Sequence, residues 1–167
     1  KDIYQDLTKL RDKIKKRKDL KKFKKKIKAI EKDITLFHAK AANQIIKKTK
    51  VNIDFIGFHG QTIFHNAEEK TSKQLGDGKL LSKLTKKKVV YEFRQNDLKN
   101  GGEGAPLTPI FHKMVAEKFN LAQKNISPST QATFINIGGI TNITRIDSYF
   151  NIYAQDCGPG MCLIDKW

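Results

Sequence analysis

The chain has 167 residues, of which 38% are hydrophobic, enough for one modest core or for parts of two lobes. No run of about 18 apolar residues and no secretory signal pattern occurs, which argues against a membrane span and predicts a cytoplasmic protein. The two cysteines, Cys157 and Cys162, match neither a zinc site nor a disulfide framework. We therefore expect reduced thiols and no metal ion held by cysteine.

The formal charge of +16 is concentrated near the N-terminus. Residues 1–50 hold 17 Lys and 2 Arg against 5 Asp and 1 Glu, a net charge of +13. Clustered cations suggest a nucleic-acid-binding protein. Lysine supplies nearly all of this charge, without interleaved aromatic residues, so we favour a solvated helix face and expect neither a specific nucleic acid nor a membrane as partner. A polyanion site and a membrane-surface helix remain the alternatives.

The apolar residues of segment 1–50 recur mostly every three or four positions, which predicts helices. A break between Ile14 and Leu20 predicts that a first helix ends there and that a longer one runs to about Lys48. A coiled coil is the alternative reading. Residues 1–30 are interpreted as a basic helical extension.

Short β-rich runs alternate with helical patterns after residue 50. VNIDFIGFHG (51–60), KVVYEF (88–93) and ATFINI (132–137) predict strands, whereas residues 79–84 and 108–119 predict helices. This alternation indicates an α/β fold with at least partly parallel strands.

A polar, proline-containing segment, NISPST (125–130), predicts a linker and a lobe boundary. Residues 31–129 would complete a first lobe, and residues 130–167 would begin a second. In that second part, INIGGITNITRI (135–146) has the signature of a hairpin. The segment 151–167 predicts a strand with an acid at its end, a glycine and proline turn, and the start of a helix. A chain that stops there is interpreted as truncated.

Two short motifs follow predicted strands or turns. HGQT (59–62) places an imidazole, an amide and a hydroxyl at a strand end, where α/β sheets bind ligands. LGDG (75–78) could orient an acid through a tight turn. Each motif also fits a plain polar turn.

A stronger motif is the glycine-rich stretch FRQNDLKNGGEGAPLTP (93–109), which we interpret as a binding loop. The planar fork of Arg94 suits a carboxylate or sugar oxygens, and Asp97 can accept from hydroxyls or fix the guanidinium. Gly101, Gly102 and Gly104 would let backbone amides approach a ligand closely. The alternative is a flexible loop with a structural Arg and Asp pair.

The C-terminal part carries a candidate phosphate hairpin and a candidate base. The hairpin residues whose backbone could cradle phosphate are Asn136, Gly138, Gly139 and Asn142. Asp156 is predicted at a strand end before Gly158, where a carboxylate can be held beside a cleft as a general base. An ordinary hairpin fits the same glycines, and Asp165 is ambiguous.

Five blocks of residues, in order, resemble the anhydro-N-acetylmuramic acid kinase family, which recycles bacterial cell-wall sugar. The blocks are IGFHGQTI, QLGDGKLL, VVYEFRQNDLKNGGEGAPLTPIFH, NIGGITNIT and QDCGPGMCLID. They span about Ile34 to Trp167, and residues 1–30 add nothing distinctive. The resemblance implies an incomplete ribonuclease H-like, actin-type ATPase fold, preceded by the basic helical segment.

The resemblance also implies an activity and site residues. The enzyme would bind ATP and Mg²⁺ between two lobes, open the 1,6-anhydro ring hydrolytically and phosphorylate O6, with Asp156 as the base. Sugar contacts would come from His59, Gln61, Arg94, Asp97, Gly101, Gly102, Gly104, Ala105 and Pro106. Phosphate contacts would come from Asn136, Gly138, Gly139, Asn142 and Gly158.

Several departures from the family pattern stand out. Met161 replaces an asparagine, Cys157 a threonine, Glu103 a glutamine, and Phe58 stands where a small residue is usual. The family's Gly-Thr-Ser-x-Asp-Gly phosphate loop is absent, so we interpret the chain as a fragment that could need a homodimer partner or a complementing chain. A non-catalytic muramyl-sugar-binding remnant and a basic nucleic-acid or membrane-surface protein are the alternative functions.

Overall fold

The computed structural model describes residues 2–119, 121 and 131–166, and it divides the chain into two compact units, Lys1–Gly104 and Ala105–Trp167. This division lies upstream of the predicted lobe boundary. The predicted linker 125–130 falls outside the described residues, so the lobe boundary itself stays a prediction.

Three helices open the first unit: α1 (Ile3–Arg11), α2 (Arg17–Lys22) and α3 (Lys24–Lys48). Asp2 caps α1 by accepting from the Gln5 backbone amide, and Asp19 accepts from the amides of Lys15 and Lys16 before α2. The predicted end of a first helix is confirmed, but it lies at Arg11, and much of the predicted break belongs to the additional helix α2. The long helix ends at Lys48, as its periodicity predicted.

The first unit also contains four strands and two further helices: β1 (Phe55–Phe58), β2 (Gln61–Asn66), β3 (Thr71–Leu75), α4 (Gly78–Thr85), β4 (Lys88–Tyr91) and α5 (Phe93–Lys99). β1 pairs with β4 in parallel, and β2 pairs with β3 in an antiparallel hairpin. The predicted parallel pairing is confirmed. The β2–β3 hairpin was missed, because its strands carry polar residues without a strong apolar alternation.

Two apolar clusters stabilise the first unit. The larger one joins the three N-terminal helices to the β2–β3 hairpin, through Leu10, Ile14, Ile27, Ile30, Ile34, Ile63 and Leu75. The smaller one joins α3, β1 and α4, through Ala39, Phe58 and Leu81. The basic N-terminal helices are thus packed into the core of this unit by their apolar stripes.

The second unit contains α6 (Thr108–Lys118) and a three-stranded antiparallel sheet of β5 (Ala132–Ile137), β6 (Ile140–Ile146) and β7 (Ile152–Pro159). α6 covers one sheet face, where Ala116, Ala132 and Ile146 are buried together. The opposite face exposes Ile135, Ile137 and Tyr153. The helix at 108–118 and the hairpin confirm the predictions for this part.

Three local predictions were wrong. The strand predicted over 88–93 ends at Tyr91, because Glu92 adopts a left-handed conformation with φ 60° and starts α5. Arg94 and Asp97 therefore lie on a short helix and not in a loop. Asp156 lies inside β7 and not at its end, since the strand continues to Pro159. Where the start of a C-terminal helix was predicted, the described residues form a 3₁₀ turn, Ile164–Lys166.

Candidate active site

The first unit contains a polar cleft of about 270 Å³, close to the lower end of the range for small-ligand sites, about 300 Å³. It brings together the predicted HGQT and LGDG motifs. Its walls are formed by Glu31, Phe58, His59, Ser72, Lys73, Gln74, Gly76, Asp77, Gly78, Lys79, Tyr91, Glu92 and Gln95. Carboxylates, amides and a hydroxyl next to two aromatic rings offer both donors and acceptors to a polyhydroxylated ligand.

Helix α3 anchors the LGDG turn at the edge of this cleft. Glu31 Oε1 accepts from Lys73 Nζ at 2.7 Å and from the Gly76 amide at 3.4 Å. Thr35 Oγ1 accepts from the Asp77 amide at 3.0 Å. The Asp77 carboxylate is used locally, since its Oδ1 accepts from the Leu80 amide and caps α4. The LGDG turn therefore lines the cleft, whereas its carboxylate, that of Asp77, caps α4.

The bulky Phe58 is accommodated by a glycine of the same turn. Its ring is buried, and a Cβ at Gly76 would lie only 2.7 Å from two ring atoms. A side chain at Gly78 would likewise overlap the ring of Tyr91. Both glycines are therefore required by packing, which gives the LGDG motif a structural reason.

His59 follows β1 directly and holds Arg94. Arg94 Nε donates to His59 Nε2 at 3.2 Å, and His59 Nδ1 lies 3.0 Å from the Gly60 carbonyl oxygen. A carbonyl only accepts, so Nδ1 carries the proton and Nε2 is the acceptor. Partial burial lowers the pKa of the Arg94 guanidinium, which nevertheless stays charged at neutral pH. Two of the residues that the resemblance implies as sugar contacts, His59 and Arg94, are thus brought together in the first unit.

Gln61 does not share this arrangement. It begins β2, where it pairs with Leu75, and it lines a separate, mainly apolar pocket with Ile34 and His38. Nothing in this geometry connects Gln61 with Arg94, and its predicted sugar contact stays a prediction.

The glycines after α5 wrap the chain around the Asp97 carboxylate. Asp97 Oδ2 accepts from the Gly104 amide at 2.7 Å, and a Cβ at Gly102 would overlap the same carboxylate. Gly101 has a φ of 94° and Gly104 a φ of 75°, values that favour glycine. Asp97 therefore organises the turn 101–104, which explains these glycines without any ligand.

Ala105 and Pro106 belong to the second unit and are joined by a cis peptide bond. Ala105 is half-buried and Pro106 is exposed. They lead directly into α6, whose second residue, Pro109, is buried. Their predicted sugar contacts stay predictions.

In the second unit, the sheet register places three predicted site residues in one row. Asn136 pairs with Asn142, and Asn142 pairs with Asp156. Side chains of directly paired residues lie on the same face of a sheet. The row Asn136–Asn142–Asp156 therefore forms a polar set with two amides next to an exposed carboxylate.

This row lies on the sheet face that α6 covers. Along that face, Ala116 packs with Ala132 and Ile146, and the His112 ring stacks on Phe134 at 4.6 Å. Four helical residues advance about as far as two strand residues, roughly 6 Å. Ala116 packs with Ala132 and His112 with Phe134, so a further step of four residues toward the start of α6 corresponds to Asn136. The first turn of the helix therefore lies toward the row Asn136–Asn142–Asp156. The segment that contains Ala105 and Pro106 precedes that turn.

A β-bulge separates this row from the end of β7. Thr141 pairs with Gly158 whereas Asn142 pairs with Asp156, which leaves Cys157 as the extra residue. Bulges re-aim neighbouring side chains and occur next to active sites. Cys157 is an exposed free thiol, and Cys162 is free and half-buried. The replacement of threonine by Cys157 therefore falls on the bulge next to Asp156.

Packing does not require glycine at the two turn positions of the β5–β6 hairpin, Gly138 and Gly139. A Cβ at Gly138 would be 3.5 Å from the Ile140 oxygen, and one at Gly139 would be 4.0 Å from Cys162 Cβ, both ordinary distances. A Cβ at Gly160, in contrast, would overlap the Gly138 oxygen. The turn at 160–162 is held on the hairpin, since the Met161 amide donates to the Gly138 oxygen at 2.7 Å. Met161 thus contributes its backbone here.

Several cleft residues were missed by the sequence analysis. Ser72 is buried, and its Oγ contacts His65 Nδ1 at 3.1 Å and accepts from Gln74 Nε2 at 2.7 Å. Gln95 Nε2 donates to the Ser72 carbonyl oxygen at 2.6 Å. Burial, and secondarily the charge of Arg94, lowers the pKa of His65. Isolated polar residues carry no motif, so only the register of β2 and β3 identifies Ser72 and Gln74, and only the contact with Ser72 identifies Gln95.

Comparisons with known proteins agree over nearly the whole chain. The sequence model of the family described as anhydro-N-acetylmuramic acid kinase matches residues 3–167, which include the basic helices. An anhydro-N-acetylmuramic acid kinase of Pelagibacter ubique (strain HTCC1062) is 52% identical over 167 residues, 99% of this chain and 43% of that protein. Proteins of the same name from Rhizobium etli and Brucella canis are 41% and 40% identical over 144 residues, 84% of this chain and 37% of each.

The chain thus spans less than half the length of these relatives. Among the helices of the described residues, none is both long and apolar enough to cross a bilayer. The resemblance stated from the five sequence blocks is confirmed, and the chain belongs to the anhydro-N-acetylmuramic acid kinase family.

Proposed function

We propose that this chain is part of an ATP-dependent kinase that opens 1,6-anhydro-N-acetylmuramic acid with water and phosphorylates O6, giving N-acetylmuramic acid 6-phosphate. The proposal includes the incomplete ribonuclease H-like, actin-type fold and a cytoplasmic location. The observation that carries it is the row Asn136–Asn142–Asp156, in which an exposed carboxylate lies beside two amides on one sheet face. Family membership supplies the substrate class.

Asp156 would act as the general base. Its carboxylate would take a proton from the water that attacks the anomeric carbon, as the bond from that carbon to O6 breaks and O6 becomes the nucleophile. The paired Asn142 would donate to the carboxylate or to the water and so fix their orientation. An exposed carboxylate on a strand fits this role, because a general base must be accessible to the attacking water and held in a fixed position.

The residues present fit the phosphate end of a nucleotide. Gly138 and Gly139 have no side chain to cover the hairpin backbone. Neither the packing nor the φ values at these two positions require glycine. Backbone amides of this hairpin, beside Asn136, would bind an anion, and an added Cβ at Gly158, next to the bulge, would meet only open space. When bound, ATP would supply the phosphoryl group and Mg²⁺ would neutralise its charge.

Sugar binding would use the first unit and the turn that follows it. Arg94, held by His59, would orient oxygens of the muramyl sugar, while Asp97 keeps Gly101, Gly102 and Gly104 in place. Ala105 and Pro106, which precede α6, are proposed as further sugar contacts on the basis of the family resemblance. A homodimer partner or a complementing chain could supply the remaining ATP contacts, as part of the same proposal.

The proposal is tested with a coupled assay of the purified chain with 1,6-anhydro-N-acetylmuramic acid, ATP and Mg²⁺, with Asp156→Asn as control. Calorimetry on the same preparation measures sugar binding. Turnover that Asp156→Asn abolishes would support the kinase. Sugar binding without turnover would identify a non-catalytic sugar-binding remnant. The absence of both signals, in a chain that shows its helical circular dichroism, would refute the assignment for this chain.

A further inference from the structure

The N-terminal helices carry a dense cluster of exposed cations. Between Lys13 and Lys28 the sequence contains eleven Lys and Arg residues and a single acid, Asp19. All eleven cations are exposed: Lys13, Lys15, Lys16, Arg17, Lys18, Lys21, Lys22, Lys24, Lys25, Lys26 and Lys28. We call these residues the basic cluster. Asp19 is engaged by the backbone amides of Lys15 and Lys16, so it serves to cap α2.

The cluster is held on folded structure and is not a loose tail. Ile14, Ile27 and Ile30 are buried in the main core of the first unit, and Leu20 and Phe23 pack against it. Apolar residues that lie between and beside the cations thus fix this segment to the core. A fixed array of like charges produces a local positive potential, which a mobile tail would spread out.

Folding stability does not explain where these lysines lie. Lys24, Lys25 and Lys26 occupy the first turn of α3, a 25-residue helix whose first turn has no acid and whose start has no side-chain cap. The positive end of the helix dipole disfavours cations there. An external polyanion would relieve this repulsion.

The buried apolar stripe argues against a membrane as the partner. A helix that binds a bilayer surface inserts its apolar face among the lipids. Here Ile27, Ile30 and Ile34 are between 3% and 6% exposed, because they pack against α1 and the β2–β3 hairpin. The apolar stripe next to the basic cluster is therefore not available for insertion, and the exposed apolar residues of α3, such as Leu36 and Phe37, lie farther along the helix.

The spacing of the lysines on α3 fits a linear polyanion. Lys24, Lys28 and Lys32 are exposed and four residues apart, so they form a row with steps of about 6 Å. A row of cations along a helix is typical of a surface that follows a phosphate backbone. Phe23 is half-buried against the core, so the cluster offers no exposed ring for stacking on bases.

We propose that the basic cluster binds the phosphate backbone of nucleic acid without reading its sequence, as a second property of this chain beside the proposed kinase activity. Affinity would come from release of counterions by lysine. The surface is separate from the cleft, since none of the residues that line the cleft belongs to the cluster.

The test measures binding of the 167-residue chain to two fluorescein-labelled 20-base-pair DNA duplexes of unrelated sequence, by anisotropy from 50 to 300 mM NaCl. We expect equal affinity for both and a slope of log K against log salt of about −5. The variant Lys24→Gln/Lys25→Gln/Lys26→Gln/Lys28→Gln should reduce the slope by about 3 to 4 and weaken binding at least tenfold at 100 mM.

The matched control removes the same number of charges from the other end of α3 and just beyond it, with Lys40→Gln/Lys47→Gln/Lys48→Gln/Lys50→Gln. Those positions start twelve residues, roughly 18 Å, beyond Lys28, farther than the Debye length of about 10 Å at 0.1 M salt. The control should therefore retain most of the affinity. If the cluster variant loses its helical circular dichroism, Lys18→Gln/Lys21→Gln/Lys22→Gln on α2 replaces it.

Three results would overturn the proposal. One is no binding of either duplex by 100 µM protein at 50 mM NaCl. Another is an equal loss of affinity in the cluster and control variants, which would show that DNA affinity depends on the total charge of the chain and not on the basic cluster. The third is binding to vesicles of equal parts phosphatidylglycerol and phosphatidylcholine without binding to DNA, which would identify a membrane surface as the partner.

Discussion

Arg94 and His59 form a directed pair in which each nitrogen of the imidazole has a defined role. Arg94 Nε donates to His59 Nε2 at 3.2 Å, and His59 Nδ1 donates to the Gly60 carbonyl oxygen at 3.0 Å. The protonated form of His59 would have no lone pair for Arg94. We therefore assign His59 to positioning Arg94, whereas the sequence suggested a direct sugar contact.

This assignment predicts the effect of two substitutions at one position. His59→Ala should weaken sugar binding about tenfold, because Arg94 loses the acceptor that orients it. His59→Gln should retain most of the affinity, since its amide oxygen can accept from Arg94. Calorimetry measures both, with Arg94→Ala and the double variant completing a cycle. If His59→Ala is equally harmful without Arg94, His59 contacts the sugar independently.

The glycine hairpin provides a second prediction, in which stability and binding separate. Gly139→Ala should change the free energy of unfolding by less than about 0.5 kcal/mol, because its Cβ meets only an ordinary contact. It should weaken ATP binding if the open backbone holds phosphate. Gly160→Ala is the control: its Cβ would overlap the Gly138 oxygen, so it should cost about 1–3 kcal/mol of stability. Urea unfolding and nucleotide titration measure the two effects, and unchanged ATP binding in Gly139→Ala would contradict the phosphate role.

The hydrogen bond from the Gly104 amide to Asp97 predicts that the free energy of unfolding falls when the Asp97 carboxylate is removed. Asp97→Ala leaves the amide of the buried Gly104 without its acceptor, which should cost about 1–3 kcal/mol in urea unfolding. Asp97→Asn should cost less, because the amide oxygen can still accept. Equal losses in the two variants would show that the negative charge matters more than the hydrogen bond.

Burial along α3 predicts which apolar residues stabilise the first unit. Ile30 is 3% exposed in the main cluster, so Ile30→Ala should reduce the free energy of unfolding by about 2–5 kcal/mol. Leu36 is 43% exposed on the same helix, and Leu36→Ala should cost less than about 1 kcal/mol. Urea unfolding followed by circular dichroism compares the two, and similar costs would contradict the described packing of α3.

The lowered pKa of His112 predicts that the stability of the fold depends on pH. Partial burial lowers its pKa below the ordinary value of 6.5, and Nδ1 lies 3.0 Å from Thr144 Oγ1. The unfolded chain then binds a proton at a higher pH than the folded chain does. Stability should therefore be full above pH 6.5 and fall as the pH drops from 6.5 through the lower folded pKa.

The matching experiment records thermal unfolding from pH 8 to pH 5 for the parent chain and for His112→Gln. The glutamine removes the titrating group, so the variant should lose less stability than the parent over this interval. Identical pH profiles would show that other groups dominate the acid response. His65, whose pKa burial also lowers, contributes with the same sign in both proteins.

The sequence by itself determined the parts of this protein that depend on local patterns. The 3.6-residue repeat predicted a long helix running to about Lys48, where α3 ends, and alternation with the Gly138–Gly139 pair predicted the β5–β6 hairpin. These elements are encoded by neighbouring residues, so periodicity and turn chemistry suffice. The five motif blocks likewise identified the family.

Only the tertiary structure decided what those motif residues touch. The register of β5, β6 and β7 placed Asn142 between Asn136 and Asp156, and an extra residue at Cys157 extended β7 past the predicted end. The sequence offered Asp77 as an acid oriented by a tight turn and Asp97 as an acceptor for hydroxyls or for Arg94, but both carboxylates accept backbone hydrogen bonds. Such contacts depend on the three-dimensional path of the backbone, and a glycine in the sequence does not reveal whether packing or a ligand requires it.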